Sequence, residues 1–160
     1  MRAWESYNLT LKKKKKEVAP YIIAYCDKDI PANARGYLLN YMQLDKGIFW
    51  NDAFTQSYNF AVQCLMGDNA DEIPGVEVLT PEIKAKYGVK VNGVGKATAE
   101  KVLAGAETEE ELGRRVIECY QTSYPGDWRQ RLDDNAFFLY LLRSDKDKWD
   151  AERYFGEAWK

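Results

Sequence analysis

Two pairs of aspartates stand at spacings that can bring carboxylates together. Asp27 and Asp29 follow a short apolar run, and residues two apart in an extended chain point the same way. Asp68 and Asp71 lie three apart in GDNADEIPGV (67–76), so they can meet on one side of a helical turn. Oxygen ligands without histidine or cysteine favour Mg²⁺ or Mn²⁺ over zinc. The DxD spacing by itself favours a solvated turn for the first pair, and capping of a short helix is the other explanation of the second.

The residues around the second pair are strongly acidic. From Asp68 to Glu82 the chain has five acids and no lysine or arginine, although its net charge is only −2. The chain contains no histidine, which excludes histidine bases, Ser-His-Asp triads and histidine-ligated zinc. Its three cysteines are scattered without C-x-x-C spacing, which favours reduced thiols in a cytoplasm. Polar chemistry here depends on carboxylates, lysines, tyrosines or a hard metal ion.

A basic, glycine-rich stretch follows the acidic one. Residues 84–101 carry five lysines and one glutamate. Within them, Gly93 and Gly95 precede a predicted helix, where free N–H groups and the Lys96 ammonium can meet an anion. This pattern is that of a helix-hairpin-helix turn, which grips a DNA phosphate without reading bases. A tight turn without a ligand explains the same residues. A second basic block, Lys12–Lys16, is typical of a solvated face or of a phosphate-tracking arm.

Hydrophobic spacing predicts strands and a helix that position the acids. The run YIIAYC (21–26) predicts a buried strand, and residues 37–50 predict two strands around Asp45-Lys46-Gly47. A helix is predicted between its cap Asp52 and the terminating Gly67. Its apolar face is predicted to carry Phe54, Tyr58, Val62 and Leu65.

Three further helices are predicted in the second half of the chain. They span 96–105, 108–121 with the capping box Thr108–Glu111, and 127–143 with Asp127 as its cap. The chain is 46% hydrophobic and 30% charged, a composition typical of a folded domain. No apolar run approaches the roughly 18 residues that span a bilayer. The sequence therefore predicts an α/β front, an α-helical rear and a location in the cytoplasm.

Taken in order, these motifs resemble a known family. A strand ending in DKD (27–29) is followed by GDNADEIPGV (67–76), by GVGKATAEKVL (93–103) and by the helix DNAFFLYLLR (134–143). This combination resembles the flap endonucleases, and most closely the phage 5′-to-3′ exonucleases and the 5′-nuclease domain of bacterial DNA polymerase I. The resemblance covers about residues 20–145.

The resemblance implies a fold, a set of ligands and a reaction. The fold is the end of a PIN/5′-nuclease-like sheet, a strand plus a hairpin, followed by an α-helical helix-hairpin-helix region that binds duplex DNA. The implied reaction is two-metal hydrolysis of DNA phosphodiester bonds with Mg²⁺ or Mn²⁺, in DNA replication. The family often binds K⁺ at its hairpin. The family's metal ligands fall on Asp27, Asp29, Asp68 and Asp71, and its DNA-binding hairpin falls on Gly93 and Gly95. Lys96, Thr98 and Lys90 are the further candidate DNA contacts next to this hairpin.

The same resemblance divides the chain into four segments. They are a basic N-terminal segment (1–20), a remnant of the catalytic α/β core (21–66), a helix-three-turn-helix DNA-binding region (67–145) and a C-terminal tail (146–160).

The sequence departs from the family pattern in three places. Residues 77–92 are expected to form a loop where the family needs one or two residues. This loop either adds phosphate contacts through Lys84, Lys86 and Lys90 or is an insertion without a function of its own. Glu72 stands where Asn is usual. The residues before the first strand do not resemble the family's upstream carboxylate cluster.

The third departure leaves two functional classes open. One is the C-terminal part of a 5′-nuclease, completed by a second chain that supplies the N-terminal half. The other is a binding module that grips duplex DNA and cuts nothing. A structural domain that has outlived its function is the third interpretation. None of them involves a membrane, and a phage origin would place the chain in the host cytoplasm.

Overall fold

The computed structural model describes residues 21–141 and 147–160. Lys12–Lys16 and Arg143 therefore lie outside the described residues. Within those two ranges, a three-stranded sheet is combined with seven α-helices, so the expected mixed α/β class is confirmed. No helix in this part of the chain is long and apolar enough to cross a membrane.

The sheet has the strand order β1-β2-β3. Strand β1 (Ile22–Tyr25) pairs in parallel with β2 (Gly36–Asn40), which pairs antiparallel with β3 (Ile48–Asn51). The predicted strand and hairpin are thus confirmed, but the expected burial of β1 is wrong, since Ile22 and Ala24 are exposed and Ile23 and Tyr25 are half-buried. A short helix, α1 (Ile30–Asn33), connects β1 to β2. No hydrophobic periodicity predicts this helix, because four residues are too few to show a helical period.

The two faces of the sheet are both largely apolar, but they are not equally covered. Leu38 of β2 is fully buried on the inner face. On the other face, the strand register places two rows of three side chains across the sheet, each made entirely of apolar residues. Ile22, Tyr37 and Trp50 are 48%, 40% and 57% exposed. We call this the outer sheet face: Ile22, Tyr37 and Trp50 in one row and Ala24, Leu39 and Ile48 in the next.

The longest helix of the front half organises the core. Helix α2 (Ala53–Met66) begins at Asp52, whose Oδ1 accepts from the Thr55 amide at 2.7 Å, and it ends at Gly67, as predicted. Half of the predicted apolar face is confirmed, because Val62 and Leu65 are buried, whereas Phe54 and Tyr58 are partly exposed. The core instead includes Phe60, Ala61 and Cys64 beside Val62 and Leu65. The helix is covered on several sides, so no single stripe describes its burial.

Four helices follow α2 in the middle of the chain. They are α3 (Pro81–Tyr87), α4 (Lys96–Leu103), α5 (Glu109–Ser123) and α6 (Trp128–Leu139). The expectation of a loop at 77–92 was wrong, because Thr80 caps α3, Pro81 occupies its first turn and the left-handed Gly88 ends it. The capping box of α5 is confirmed: the Thr108 hydroxyl accepts from the Glu111 amide at 3.1 Å.

Helix α6 is shorter than the sequence predicts. It ends at Leu139, and Tyr140 is already extended. The buried Asn33 amide causes this end, since its Nδ2 donates to the Leu139 carbonyl at 3.1 Å and its Oδ1 accepts from the Leu141 amide at 3.0 Å. A tertiary contact from α1 therefore takes the groups that another helical turn would use.

The C-terminal segment packs onto this core. It forms α7 (Ala151–Phe155) and a 3₁₀ turn (Gly156–Trp159) that lie against α5. Aromatic rings make much of the contact: the ring centroids of Phe60 and Tyr154 lie 4.6 Å apart. The residues called a tail from sequence are thus part of the packed structure.

Candidate metal centre and hairpin

Three of the four predicted ligands converge. One carboxylate oxygen from each of Asp29, Asp68 and Asp71 lies within 4.8 Å of the other two. Asp29 stands at the start of α1, just beyond the carboxyl end of β1, whereas Asp68 and Asp71 follow α2. We call these residues the carboxylate trio. Residues about 40 positions apart in sequence meet here because α2 packs on α1.

The second aspartate pair does not lie on a helical turn. Residues 68–73 form a tight antiparallel turn, in which the amides and carbonyls of Asp68 and Ile73 exchange hydrogen bonds of 2.7 and 2.8 Å. The Asp68 carboxylate also accepts from the Ala70 amide at 2.9 Å. The expected helical geometry is therefore wrong, but the turn still brings Asp68 and Asp71 together.

Two glycines impose this turn. Gly67 and Gly75 both have positive φ, 69° and 62°. A Cβ on Gly67 would overlap the carbonyl of Ile73, and one on Gly75 would overlap the backbone of Gly67. The two backbone segments cross at a distance that only glycine allows, which explains the glycines that bracket the acidic motif.

Glu72 adopts the left-handed conformation, with φ of 59°, which is rare for a residue with a long side chain. Asn tolerates this region better than Glu does. We expect Glu72→Asn to raise the free energy of unfolding by about 0.5–1 kcal/mol. Thermal or urea unfolding measures the change. Glu77→Asn is the control, since it removes the same charge from an exposed residue without positive φ; an equal gain there would contradict the explanation.

Asp27 lies beside the trio, but not in it. Its Oδ1 accepts from the Asp29 amide at 3.0 Å, so residues 27–29 form a turn. The expectation that Asp27 and Asp29 lie in extended chain is therefore wrong. The exposed Asp27 carboxylate nevertheless acts on Asp29 through its charge.

A lysine supplies positive charge to the trio. The Lys28 Nζ lies 2.6 Å from Asp68 Oδ1, where Asp68 is only 2% exposed and Lys28 about half exposed. Burial acts to raise the pKa of Asp68, but the Lys28 ammonium and the Ala70 amide outweigh it and hold this pKa below its ordinary value. The hydrogen bond to Asp68 raises the pKa of Lys28. A cation thus already occupies part of the space that the trio offers.

The pKa of Asp29 is shifted in the opposite direction to that of Asp68. Burial, followed by the charge of Asp27, raises the pKa of Asp29, although the Gln63 side chain opposes this shift. The Gln63 Nε2 donates to Asp29 Oδ1 at 2.5 Å, while its buried Oε1 has no hydrogen-bond partner in the described structure. The carboxylates are therefore crowded, and a further cation would relieve their repulsion.

The glycine hairpin lies between α3 and α4. The Asn92 carbonyl accepts from the Leu79 amide at 3.0 Å, and the Asn92 side chain accepts from Lys84 at 2.8 Å. Neither Gly93 nor Gly95 has positive φ, and a Cβ on Gly95 would meet nothing within 4 Å. The fold itself thus does not require Gly95, which leaves close approach by an external group as a reason for it.

The other predicted DNA contacts differ in accessibility. Lys96 is 73% exposed at the start of α4, and Lys90 is exposed in the loop before it. Thr98 is only 8% exposed, so little of its surface is available to a ligand. Lys86 pairs with Glu118 and Lys84 bonds Asn92, so both of these lysines make contacts within the chain.

Sequence reasoning missed Lys28 and Gln63. The signal for Lys28 was its place between two predicted ligands. Gln63 had no signal, since only the packing of α2 on α1 brings it to Asp29. Comparisons of the chain with models of protein families, with curated proteins and with solved structures found no match.

Proposed function

We propose that this chain is the C-terminal part of a metal-dependent 5′-to-3′ exonuclease or flap endonuclease that acts on DNA. The observation that supports it best is the convergence of Asp29, Asp68 and Asp71 within 4.8 Å at the carboxyl end of a parallel strand. Ligands and catalytic residues are commonly found at this end of α/β sheets. The motif order that suggested the family thus coincides with a cluster of acids in space.

The trio fits a hard divalent cation. All its donors are carboxylate oxygens, which suit Mg²⁺ and Mn²⁺, and the Lys28 ammonium beside Asp68 acts as a stand-in for such an ion. The residues that would hold the metal are Asp29, Asp68 and Asp71, with Asp27 next to them. A metal ion there would lower the pKa of a bound water and stabilise charge on a phosphate. The chain's own part is to hold the carboxylates in place through Gln63 and the 68–73 turn.

The glycine hairpin would provide the duplex anchor. Gly95 leaves the start of α4 without a side-chain cap, and the exposed Lys96 follows it directly. Such a site contacts a phosphate of the backbone rather than a base. Gly93, Lys90 and a bound K⁺ are the other proposed parts of this anchor. Thr98, which is buried in the first turn of α4, would help to hold that turn in place.

Duplex binding tests this anchor. We expect Gly95→Ala to weaken binding of a labelled duplex about five-fold at low salt, because the added Cβ obstructs phosphate approach but meets nothing in the protein. Lys96→Glu should weaken it at least about ten-fold and reduce the salt slope by about 1. Fluorescence anisotropy across a salt series measures both.

Gly126→Ala is the matched control, since a Cβ there also meets nothing within 4 Å. Equal affinities for the wild type, Gly95→Ala and Lys96→Glu would remove the hairpin from the proposal.

The outer sheet face supports the proposed partner. A parallel pair such as β1–β2 is normally covered on both faces, yet Ile22, Tyr37 and Trp50 are all at least 40% exposed. Such an exposed apolar surface marks an interaction site. We propose that its occupant is the N-terminal half of the same nuclease fold, which would add a helical layer and further carboxylates.

The small number of converging carboxylates also supports a second function. In the described residues only three carboxylates converge, and one of them already pairs with Lys28. A protein that uses the hairpin alone would be a non-catalytic module that binds duplex DNA. The two functions differ in whether metal-dependent cleavage appears once the N-terminal half is supplied.

A further inference from the structure

A groove of about 570 Å³ runs between the sheet with its hairpin loop and helix α2. This volume lies in the usual range of ligand sites, roughly 300–1,000 Å³. Its lining includes the three lysines Lys28, Lys46 and Lys96 and no acidic residue. The whole chain has a net charge of −2, so this surface departs from the average. An anion is therefore the favoured occupant.

Two of the three groove lysines, Lys46 and Lys96, keep charge available for that anion. Among the described contacts, Lys46 makes no ion pair, and Lys96 reaches only Glu100, at 4.0 Å. Lys28 is bound to Asp68 but is half exposed at the mouth of the groove. The three lysines thus line one groove, whose lining also includes Gln63, the hydrogen-bond donor to Asp29 of the carboxylate trio.

The rest of the lining argues for nucleic acid rather than for a simple phosphate. Tyr25 and Phe49 offer partly exposed aromatic rings, and four amide side chains offer both donors and acceptors. One of the amides, Gln63, is 4% exposed and has an Oε1 without a hydrogen-bond partner in the described structure. Aromatic rings beside lysines are the usual means of binding single strands, since each base stacks while its phosphate is neutralised.

We propose that this groove binds a short single-stranded stretch of nucleic acid on its way from the hairpin to the carboxylate trio. Lys46 and Lys96 contact its phosphates, and Tyr25 and Phe49 contact its bases. The inference rests on the proposed nuclease function for the purpose of the groove, but strand binding there needs no metal. The β2–β3 hairpin, which carries Lys46, thereby acquires a role in holding substrate.

The test is binding of a labelled oligothymidylate of about eight nucleotides, within the usual site size, at low salt and with EDTA. We expect Lys46→Glu to weaken binding at least about ten-fold and to flatten its salt dependence. Phe49→Leu keeps an apolar side chain but removes the ring, and should weaken binding about five-fold. Lys148→Glu, the same charge change at an exposed residue outside the groove, should change the affinity less than about two-fold.

Photocrosslinking locates the strand without any variant. An oligonucleotide with 5-bromodeoxyuridine should crosslink to peptides that contain Tyr25 or Phe49. Crosslinks confined to other peptides would overturn the proposal that the strand lies in this groove. Equal losses of oligonucleotide affinity from Lys46→Glu and Lys148→Glu would overturn it as well. Thymidine monophosphate that binds as tightly as the oligomer would also overturn it, in favour of a mononucleotide pocket.

These outcomes separate the groove from the nuclease assignment. Strand binding that depends on Lys46, in a chain that binds no Mn²⁺, would support the groove and reject the nuclease. A chain that binds Mn²⁺ and duplex DNA, but whose strand binding does not change in Lys46→Glu, would support the nuclease and reject the groove.

Discussion

Asparagine at positions 68 and 71 is expected to lower the affinity of the chain for Mn²⁺ at least about 100-fold. The substitution removes two of the three carboxylates that lie within 4.8 Å of one another. Asn keeps the oxygen that accepts from the Ala70 amide, so the turn should stay folded. Isothermal calorimetry or the relaxation of water protons by Mn²⁺ measures the affinity, and circular dichroism confirms the fold.

Glu72→Gln is the matched control for the double variant. Glu72 lies in the same turn and carries the same charge, but it does not belong to the trio. Its replacement should change Mn²⁺ affinity no more than about three-fold, through long-range charge alone. Similar losses from Glu72→Gln and from the double variant would mean that the turn attracts Mn²⁺ only by its net charge.

Replacement of Lys28 is expected to raise the affinity for Mn²⁺ rather than to lower it. Its ammonium lies 2.6 Å from Asp68, so an incoming ion must displace it. Lys28→Met keeps most of the side-chain length and removes the competitor, and we expect tighter Mn²⁺ binding by about two- to ten-fold. Weaker binding in this variant would show that Lys28 holds Asp68 in place rather than competing for it.

Local signals in the sequence predicted much of the fold. Asp52, Gly67 and the Thr108–Glu111 box marked helix ends correctly because caps depend on neighbouring residues. Helix α3 was also readable, since Thr80 and Pro81 are typical of a helix start. The resemblance to the family instead predicts an inserted loop at 77–92, and these local signals contradict that prediction.

The errors came from contacts distant in sequence. The end of α6 depends on Asn33, about 100 residues earlier, and no periodicity in α6 contains this information. The turn at Asp68 follows from the close crossing of Gly67 and Gly75, which overrode the helical spacing of Asp68 and Asp71. The convergence of three of the predicted acids is nevertheless confirmed, because glycines and acids at fixed spacing constrain the backbone whichever turn they form.

The site's electrostatics could not have been read from the sequence. The pKa of Asp29 is raised and that of Asp68 lowered, although both are aspartates of one cluster. The difference arises because Lys28 and the Ala70 amide contact Asp68, whereas Asp29 is half-buried next to the charge of Asp27 and accepts a hydrogen bond from the neutral Gln63 amide. Partners in three dimensions decide the direction in each case.

The chain alone is expected to cleave DNA very slowly in Mg²⁺, and a complementing polypeptide should accelerate it at least about 100-fold. Two-metal hydrolysis needs both ions fixed next to the phosphate, and among the described residues three carboxylates converge. The complement is the N-terminal half of a 5′-nuclease that carries the upstream carboxylates, added separately or fused. Release of labelled 5′ nucleotides from duplex and flap substrates, under single-turnover conditions, measures the rate.

Variants of the complemented protein assign that activity to this site. Asp29→Asn should abolish the gain, because it removes a trio carboxylate but keeps an oxygen that can accept from Gln63. Glu72→Gln should retain most of it. Trp50→Glu, on the outer sheet face, should prevent the two parts from co-eluting, because it places a charge where apolar contact is needed. Fast cleavage by the chain alone would show that the trio suffices without a partner. A complex that forms, binds Mn²⁺ and still does not cut would leave duplex binding as the function, since the ions would then be held without the geometry that hydrolysis requires.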